Sequence, residues 1–558
     1  MKHLVQRFGM DGSHLLISKF LLLINVMEAN FKITKVFFVI YIVLIALSAC
    51  TTDSEPVLPE QPDYTLTIEI TPEGAGTTNP LPGGFDEGAN LELEAIPAEN
   101  YLFDRWAGDL TTESNPADLT MNSNKVITAV FKRAPLTMGG DGSQANPYQV
   151  HSLDDLIAIG LEENLDKHFI QTADIDASAS EELQNGSGFK FIGDAEHPFA
   201  GSYDGNGYSI MNLKINFNKF DPHNGMFGYT KDALLQNITI DNREQLVKAD
   251  TGTAALTRKE TPSLSEIPDV QNNDIADMEG VGGLAGMNDG GLVQNCHFIG
   301  SITLPSGGAG LVGINTGTIE KSSFEGYISG TIFTASGLVT YNSGSILSSE
   351  VKGEIDGQGA SGFVSDNFGQ IYESNADVNI AGSIAAAGFI INNEGMIRSS
   401  VLRGKINGYR YSNGFVGNNK GLIEDVYVIA DHQIELYEDD QPDIKSDLGG
   451  FAGRNDSEGV IRNAFTAGSI SVDGNMEELS LFGAFAGENL GSIDHGYWDK
   501  ESTGIETGVD EGDPEGATGL STAQMTGPAA AQNMPEFDWV NIWRTTEDGY
   551  PVLRWEEE

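Results

Sequence analysis

A block of the form Gly-[Leu/Phe]-x-x-x-Asn-x-Gly-x-[Ile/Leu] recurs through the C-terminal half of this chain. It starts at Gly283, Gly310, Gly337, Gly362, Gly388, Gly414, Gly450 and Ala484, at spacings of 27, 27, 25, 26, 26, 36 and 34 residues. A unit this short cannot bury its apolar face alone, so successive copies must stack on one another. Propeller blades need about 40–50 residues, and leucine-rich repeats need a Leu-x-x-Leu-x-Leu run that is missing here. Helical repeats would not tolerate so much glycine, 67 residues in 558. A second apolar beat, Gly-x-Ile, follows at Gly300/Ile302, Gly326/Ile328, Gly353/Ile355, Gly404/Ile406 and Gly468/Ile470. Two short beats per period suit one coil of a parallel β-helix. The expected fold is therefore all-β: a right-handed parallel β-helix.

Within the block, Asn288, Asn315, Asn342, Asn367, Asn393, Asn419, Asn455 and Asn489 hold one phase. Seven have a glycine two residues on, and the turn after Asn455 is longer. Asn-x-Gly supplies left-handed turn conformations. It would also let the amides bond one another between coils stacked at about 4.8 Å. A turn and a ladder are compatible, and neither is catalytic.

Three insertions interrupt the repeat, at 243–279, 435–447 and 472–480. They begin 18, 21 and 22 residues after Gly225, Gly414 and Gly450, the first of which opens a degenerate earlier copy. Equal offset in a solenoid means one shared edge, so all three should project from the same side.

The N-terminus reads differently. Val36 to Ala49 is an unbroken apolar or small stretch preceded by Lys32 and Lys35. It suits a signal-peptide core better than a bilayer-spanning helix of about 20 residues. Leu47-Ser48-Ala49-Cys50 resembles the lipobox of bacterial lipoproteins, which implies cleavage before Cys50 and its acylation. Residues 1–49 are then a lipoprotein signal peptide, starting at Met1 or Met27. Residues 50–63, with Pro56, Pro59 and Pro62 among acidic side chains, form an extended tether.

Residues 64–134 read as a small β domain, beginning with the alternation Tyr64-Thr-Leu-Thr-Ile-Glu-Ile70. Pro97-Ala98, Tyr101, Phe103, Trp106, Gly108, Asn115-Pro116 and Thr120-Met121 resemble the internalin-type bacterial B-repeat. That resemblance implies a β-grasp-like spacer or interaction module. Its aromatic trio is either a sugar platform or, more simply, the core. Gly310-Leu311-Val312-Gly313 and the blocks around it resemble the GLUG repeats of bacterial surface proteins. On that resemblance 135–223 are the opening coils of the β-helix, 224–504 the GLUG repeats and 505–558 a closing cap.

Chemistry is sparse. With 31 Lys+Arg against 81 Asp+Glu the chain carries a net charge of −50, which argues against nucleic acid as a partner. No histidine pair has His-x-x-x-His spacing, so the metalloprotease reading that GLUG repeats invite fails. Cys296 lies inside a repeat block and reads as a small buried side chain. No cofactor is expected, apart from calcium at two acidic loops. Asp439, Asp440 and Asp443 are the candidates in one, and Asp510 and Asp513 in the other; a solvated surface is the simpler reading of both.

The expected protein is a lipid-anchored scaffold or adhesin on the outer membrane of a Gram-negative bacterium, leaning non-catalytic. Its partners would be the membrane, through Cys50, and a glycan or a host or matrix protein. The rival readings are a polysaccharide-active β-helix enzyme and a purely structural spacer.

Overall fold

A computed structural model describes residues 62–557, apart from 99–100, 134–137, 218–221, 244–278, 305–306, 331–333, 409–410, 436–446 and 474–480. The chain divides into two compact units between Pro135 and Leu136. Cys50, the signal peptide and almost all of the tether lie outside the described residues.

In the first unit, Tyr64–Thr71 and Lys125–Arg133 run parallel at the centre of a four-stranded sheet, flanked by Gly83–Phe85 and Tyr101–Gly108. A parallel pairing of first and last strands is what a β-grasp-like module requires. The second layer is a sheet of Gly76–Asn79, Asn90–Pro97 and Ala117–Thr120. Both layers contribute to one core, with Leu66, Leu93, Trp106, Leu119, Ile127 and Phe131 among its members.

The second unit is a parallel β-helix. Ten parallel strands, from Phe227–Lys231 to Val509–Gly512, stack into its first face. The second and third faces belong to one 25-stranded sheet that wraps the remaining sides. Register is kept coil after coil, so Ile319, Ile346, Ile371, Ile397 and Ile423 lie in one buried row. Phe363, Phe389, Phe415, Phe451 and Phe485 stack in another, with ring centroids 4.6–5.3 Å apart and planes within 13°. Such stacking adds about 0.5–1.5 kcal/mol per pair to the area each ring buries.

The Gly-x-Ile beat has a backbone cause as well as an apolar one. Gly326 and Gly353 sit mid-strand at φ 149° and 137°, and a Cβ on either would collide with the carbonyl oxygen of Gly300 or Gly326 in the adjacent coil. Only glycine lets the coils close up there.

Both ends differ from plain coils. Among the opening coils, Leu153–Ile159 is a helix, N-capped by the Ser152 side chain, that buries Leu156 and Ile159 in the solenoid core. A capped run of Leu-Asp-Asp-Leu-Ile-Ala-Ile has helical rather than alternating periodicity. At the other end, Val509–Gly512 and Ala517–Leu520 complete a last coil. The chain then folds back along the outside of the third face. There the Trp543 ring packs on Tyr427 and Phe465, and its Nε1 donates to Asp425 Oδ1 at 3.0 Å. Tyr497 donates to Glu536 at 2.8 Å. The closing segment thus braces the flank of the helix, a role that length and composition alone did not suggest.

Candidate functional site

Each coil turns three main corners, and the chemistry-bearing side chains collect there. At the first, between the first and second faces, the eight asparagines stand in register and are at most 1% exposed. Each of the first seven donates from Nδ2 to Oδ1 of the next at 2.8 Å. In six of the seven the amide also reaches a backbone carbonyl of the same turn, as from Asn288 to Gly291 at 3.2 Å and from Asn367 to Gly369 at 3.4 Å. Asn489 ends the row on the carbonyl of Asp513 at 2.6 Å. An amide both donates and accepts, so one residue type can repeat indefinitely without leaving a buried group unpaired.

The second corner, between the second and third faces, was not read from the sequence. Asn237, Asn295, Lys321, Ser348, Glu373, Ser399, Asp425, Asn463 and His495 all occupy the left-handed region there, at φ 48–60°. The residue after each faces inward, and in four coils it is serine. Ser322, Ser349, Ser374 and Ser400 each accept at Oγ from a backbone N–H of the preceding coil at 3.1–3.4 Å. Each also donates to the carbonyl two residues back. Cys296 occupies the same position one coil earlier, fully buried, with its thiol pushed up to about 12 by desolvation. It fills the inward position as a small packing side chain. The signal that could have revealed this row is a serine three residues after the inward isoleucine, as in Ile371-Tyr-Glu-Ser374.

The third corner carries the insertions. Most of their length lies outside the described residues, but their roots are placed. The second departs after Glu435 and returns at Asp447; the third departs after Asp473 and returns at Leu481. Glu435 is in register with Asp473, and Asp447 with Leu481. Before the first insertion, Asp241 pairs with Ile299; after it, Gly282 bridges to Ala309. The second and third therefore open at one position where the third face ends, whereas the first leaves earlier along that face, level with Ile299 in the strand His297–Leu304. In two coils this corner needs no loop, since Glu350–Ser361 and Asn375–Ala387 run through it as single strands. Beside the second insertion, His432 is buried, with Nε2 2.6 Å from Ser412 Oγ and no partner for Nδ1. Burial lowers its pKa to about 4.

Along the outer second face, Arg398, Glu424, Arg462 and Asp494 alternate in sign at 2.8, 3.0 and 3.4 Å. These partly exposed pairs are worth little singly, but they offset repulsion locally in an acidic chain.

Asp510 lies exposed on the last strand of the first face, and Asp513 follows it, accepting at Oδ1 from the Glu515 N–H at 3.0 Å. Asp439, Asp440 and Asp443 fall outside the described residues. Among the described residues, no three His, Cys, Asp or Glu side chains converge as metal ligands would. In the first unit Trp106 is fully buried, with Phe103 tilted against it at 5.4 Å, and Tyr101 and Phe103 are partly buried against the same core. No helix among the described residues is long and apolar enough to cross a membrane.

Fold and corners together define a parallel β-helix with a polar inner ladder, which follows a small two-layered β domain in the chain. Residues 66–135 match the profile of the divergent InlB B-repeat domain. Halomucin from Haloquadratum walsbyi is 35% identical over 172 residues, which cover 28% of this chain and 2% of halomucin. A "putative Gly-rich membrane protein" from Evansella cellulosilytica is 31% identical over 112 residues, 20% of this chain and 12% of that protein. The chain thus spans only a small part of either relative. A solved structure of a "putative immunoglobulin A1 protease" from Bacteroides ovatus matches at TM-score 0.27 and 13% identity, over 75% of this chain and 94% of that one.

Proposed function

We propose that this protein is a non-catalytic cell-surface scaffold of a Gram-negative bacterium, held by a lipid on Cys50, whose GLUG-type coils present the three insertions as a binding edge. One observation carries the reading: the roots of the second and third insertions open in register at the corner where the fold itself needs no loop, and the first returns to the stack through Gly282. Length added where folding does not require it points to a use in recognition. The names of the two relatives, a halomucin and a Gly-rich membrane protein, agree with a surface or membrane-associated setting. The ligand is a glycan or a host or matrix protein. The lipid anchor rests on Leu47–Cys50 alone.

Two experiments test the parts separately. Cys50→Ala abolishes labelling by a fatty-acid probe and retention in the membrane fraction; continued labelling refutes the anchor. Replacing all three insertions with short turns abolishes adhesion of bacteria displaying the protein. Unchanged adhesion makes the corner merely permissive, and turnover of any bound polysaccharide favours a β-helix enzyme.

A further inference from the structure

The outer side of the asparagine corner, a different edge from the one that carries the insertions, has a notch of its own. It holds about 520 Å³ and is lined by Phe368, Glu394, Lys420, Asp456, Ser457 and Glu458. Four of these immediately follow Asn367, Asn393, Asn419 and Asn455, so the buried ladder sets their spacing. At about 4.8 Å per coil, Phe368 and Asp456 stand roughly 14 Å apart along the stack. At one end the half-buried Phe368 ring rests against Tyr341, 5.2 Å between centroids. In the middle, Lys420 Nζ meets Glu394 Oε1 at 2.8 Å, both side chains about one-third exposed. At the other end the turn is lengthened to Asn455-Asp-Ser-Glu-Gly459, and the exposed Ser457 and Glu458 rise as a wall.

We propose that this notch binds a neutral or amino-bearing oligosaccharide lying along the stack. The notch is too shallow to enclose a compact apolar ligand but long enough for several linked polar units. Phe368 supplies an apolar platform for the face of a sugar ring, supported from behind by Tyr341. Beyond it, the Lys420 ammonium and the Glu394 and Asp456 carboxylates offer donors and acceptors at coil spacing, as a run of hydroxyls requires. Three lining carboxylates exceed the Lys420 ammonium together with Arg454, 3.7 Å from Asp456, and this negative balance disfavours uronic or sialylated chains.

The test uses the full chain, detergent-solubilised, on a printed array of neutral, amino-bearing and acidic oligosaccharides. Binding to neutral or amino-bearing members is expected, with a loss of about tenfold in Phe368→Ala and in Lys420→Glu. Leu490→Ala, at the equivalent exposed position two coils beyond Lys420, serves as the control and leaves affinity unchanged. Thermal unfolding of each variant verifies that it is folded. The proposal is overturned if no saccharide binds, if acidic members are preferred, or if both notch variants bind as the parent does. Binding that survives the notch substitutions but disappears with the insertions assigns recognition to the insertion edge, which refutes this inference and leaves the proposed function standing.

Discussion

Two corners of the same coil meet one demand, a sharp change of chain direction with no buried polar group left unpaired, by opposite means. The asparagine corner uses a side chain. Its amide bonds the next coil, so the residue type is the same in eight coils, from Asn288 to Asn489. The corner between the second and third faces uses the backbone. A left-handed φ makes the turn, and the side chain at that position points away from the core. Lys, Ser, Glu, Asp, Asn and His all occur there. A corner solved by a side chain constrains residue type, whereas one solved by the backbone constrains only φ and leaves a variable sequence.

This contrast can be broken most severely at Asn367. Asn367→Asp removes the donor to Asn393 and buries a carboxylate, which should cost about 3–5 kcal/mol. Asn367→Ala, which leaves its neighbours unpaired but adds no charge, should cost about 1–3 kcal/mol. Denaturant unfolding of the two variants checks both the size and the order. If Asn367→Asp is the milder change, the amide donor is not what the corner depends on.

The third corner adds a buried histidine, whereas His495 at the left-handed corner is exposed. His432 is buried neutral, with a folded pKa of about 4 against an ordinary value of 6.5. The unfolded chain takes up the proton first, so this contribution to stability is full above pH 6.5 and is lost as pH falls towards 4. The shift corresponds to at most about 3 kcal/mol. His432→Gln should flatten the pH dependence of unfolding free energy across that window. An unchanged slope would show that His432 does not carry it.

The smallest effect belongs to the backbone corner. Glu373 sits at φ 48°, a conformation that costs most L-residues about 1–2 kcal/mol. Glu373→Gly relieves that strain but adds flexibility to the unfolded chain, for a net gain of up to about 1 kcal/mol. Asn367→Gly, the same replacement at the asparagine corner, should instead destabilise. Opposite signs in paired melting curves sharpen the distinction between the two corners, and equal signs would erase it.

The sequence by itself determined the solenoid. Its period, its glycines and the phase of its asparagines follow from contacts that recur in every coil, and a recurring contact leaves a recurring residue. The small β domain was readable for a similar reason, since Tyr101, Phe103 and Trp106 fall at spacings that suit its core. Tertiary structure alone decided the rest. It placed the left-handed corner, whose variable residues share only a backbone angle. It laid the closing segment along the flank, where Trp543 reaches Asp425 across 118 residues of chain. It also brought Phe368, Glu394, Lys420 and Asp456 into one notch. These residues lie 26, 26 and 36 positions apart and have no common type. What makes them neighbours is the 4.8 Å step of the stack, a spacing that appears only once the coils have closed.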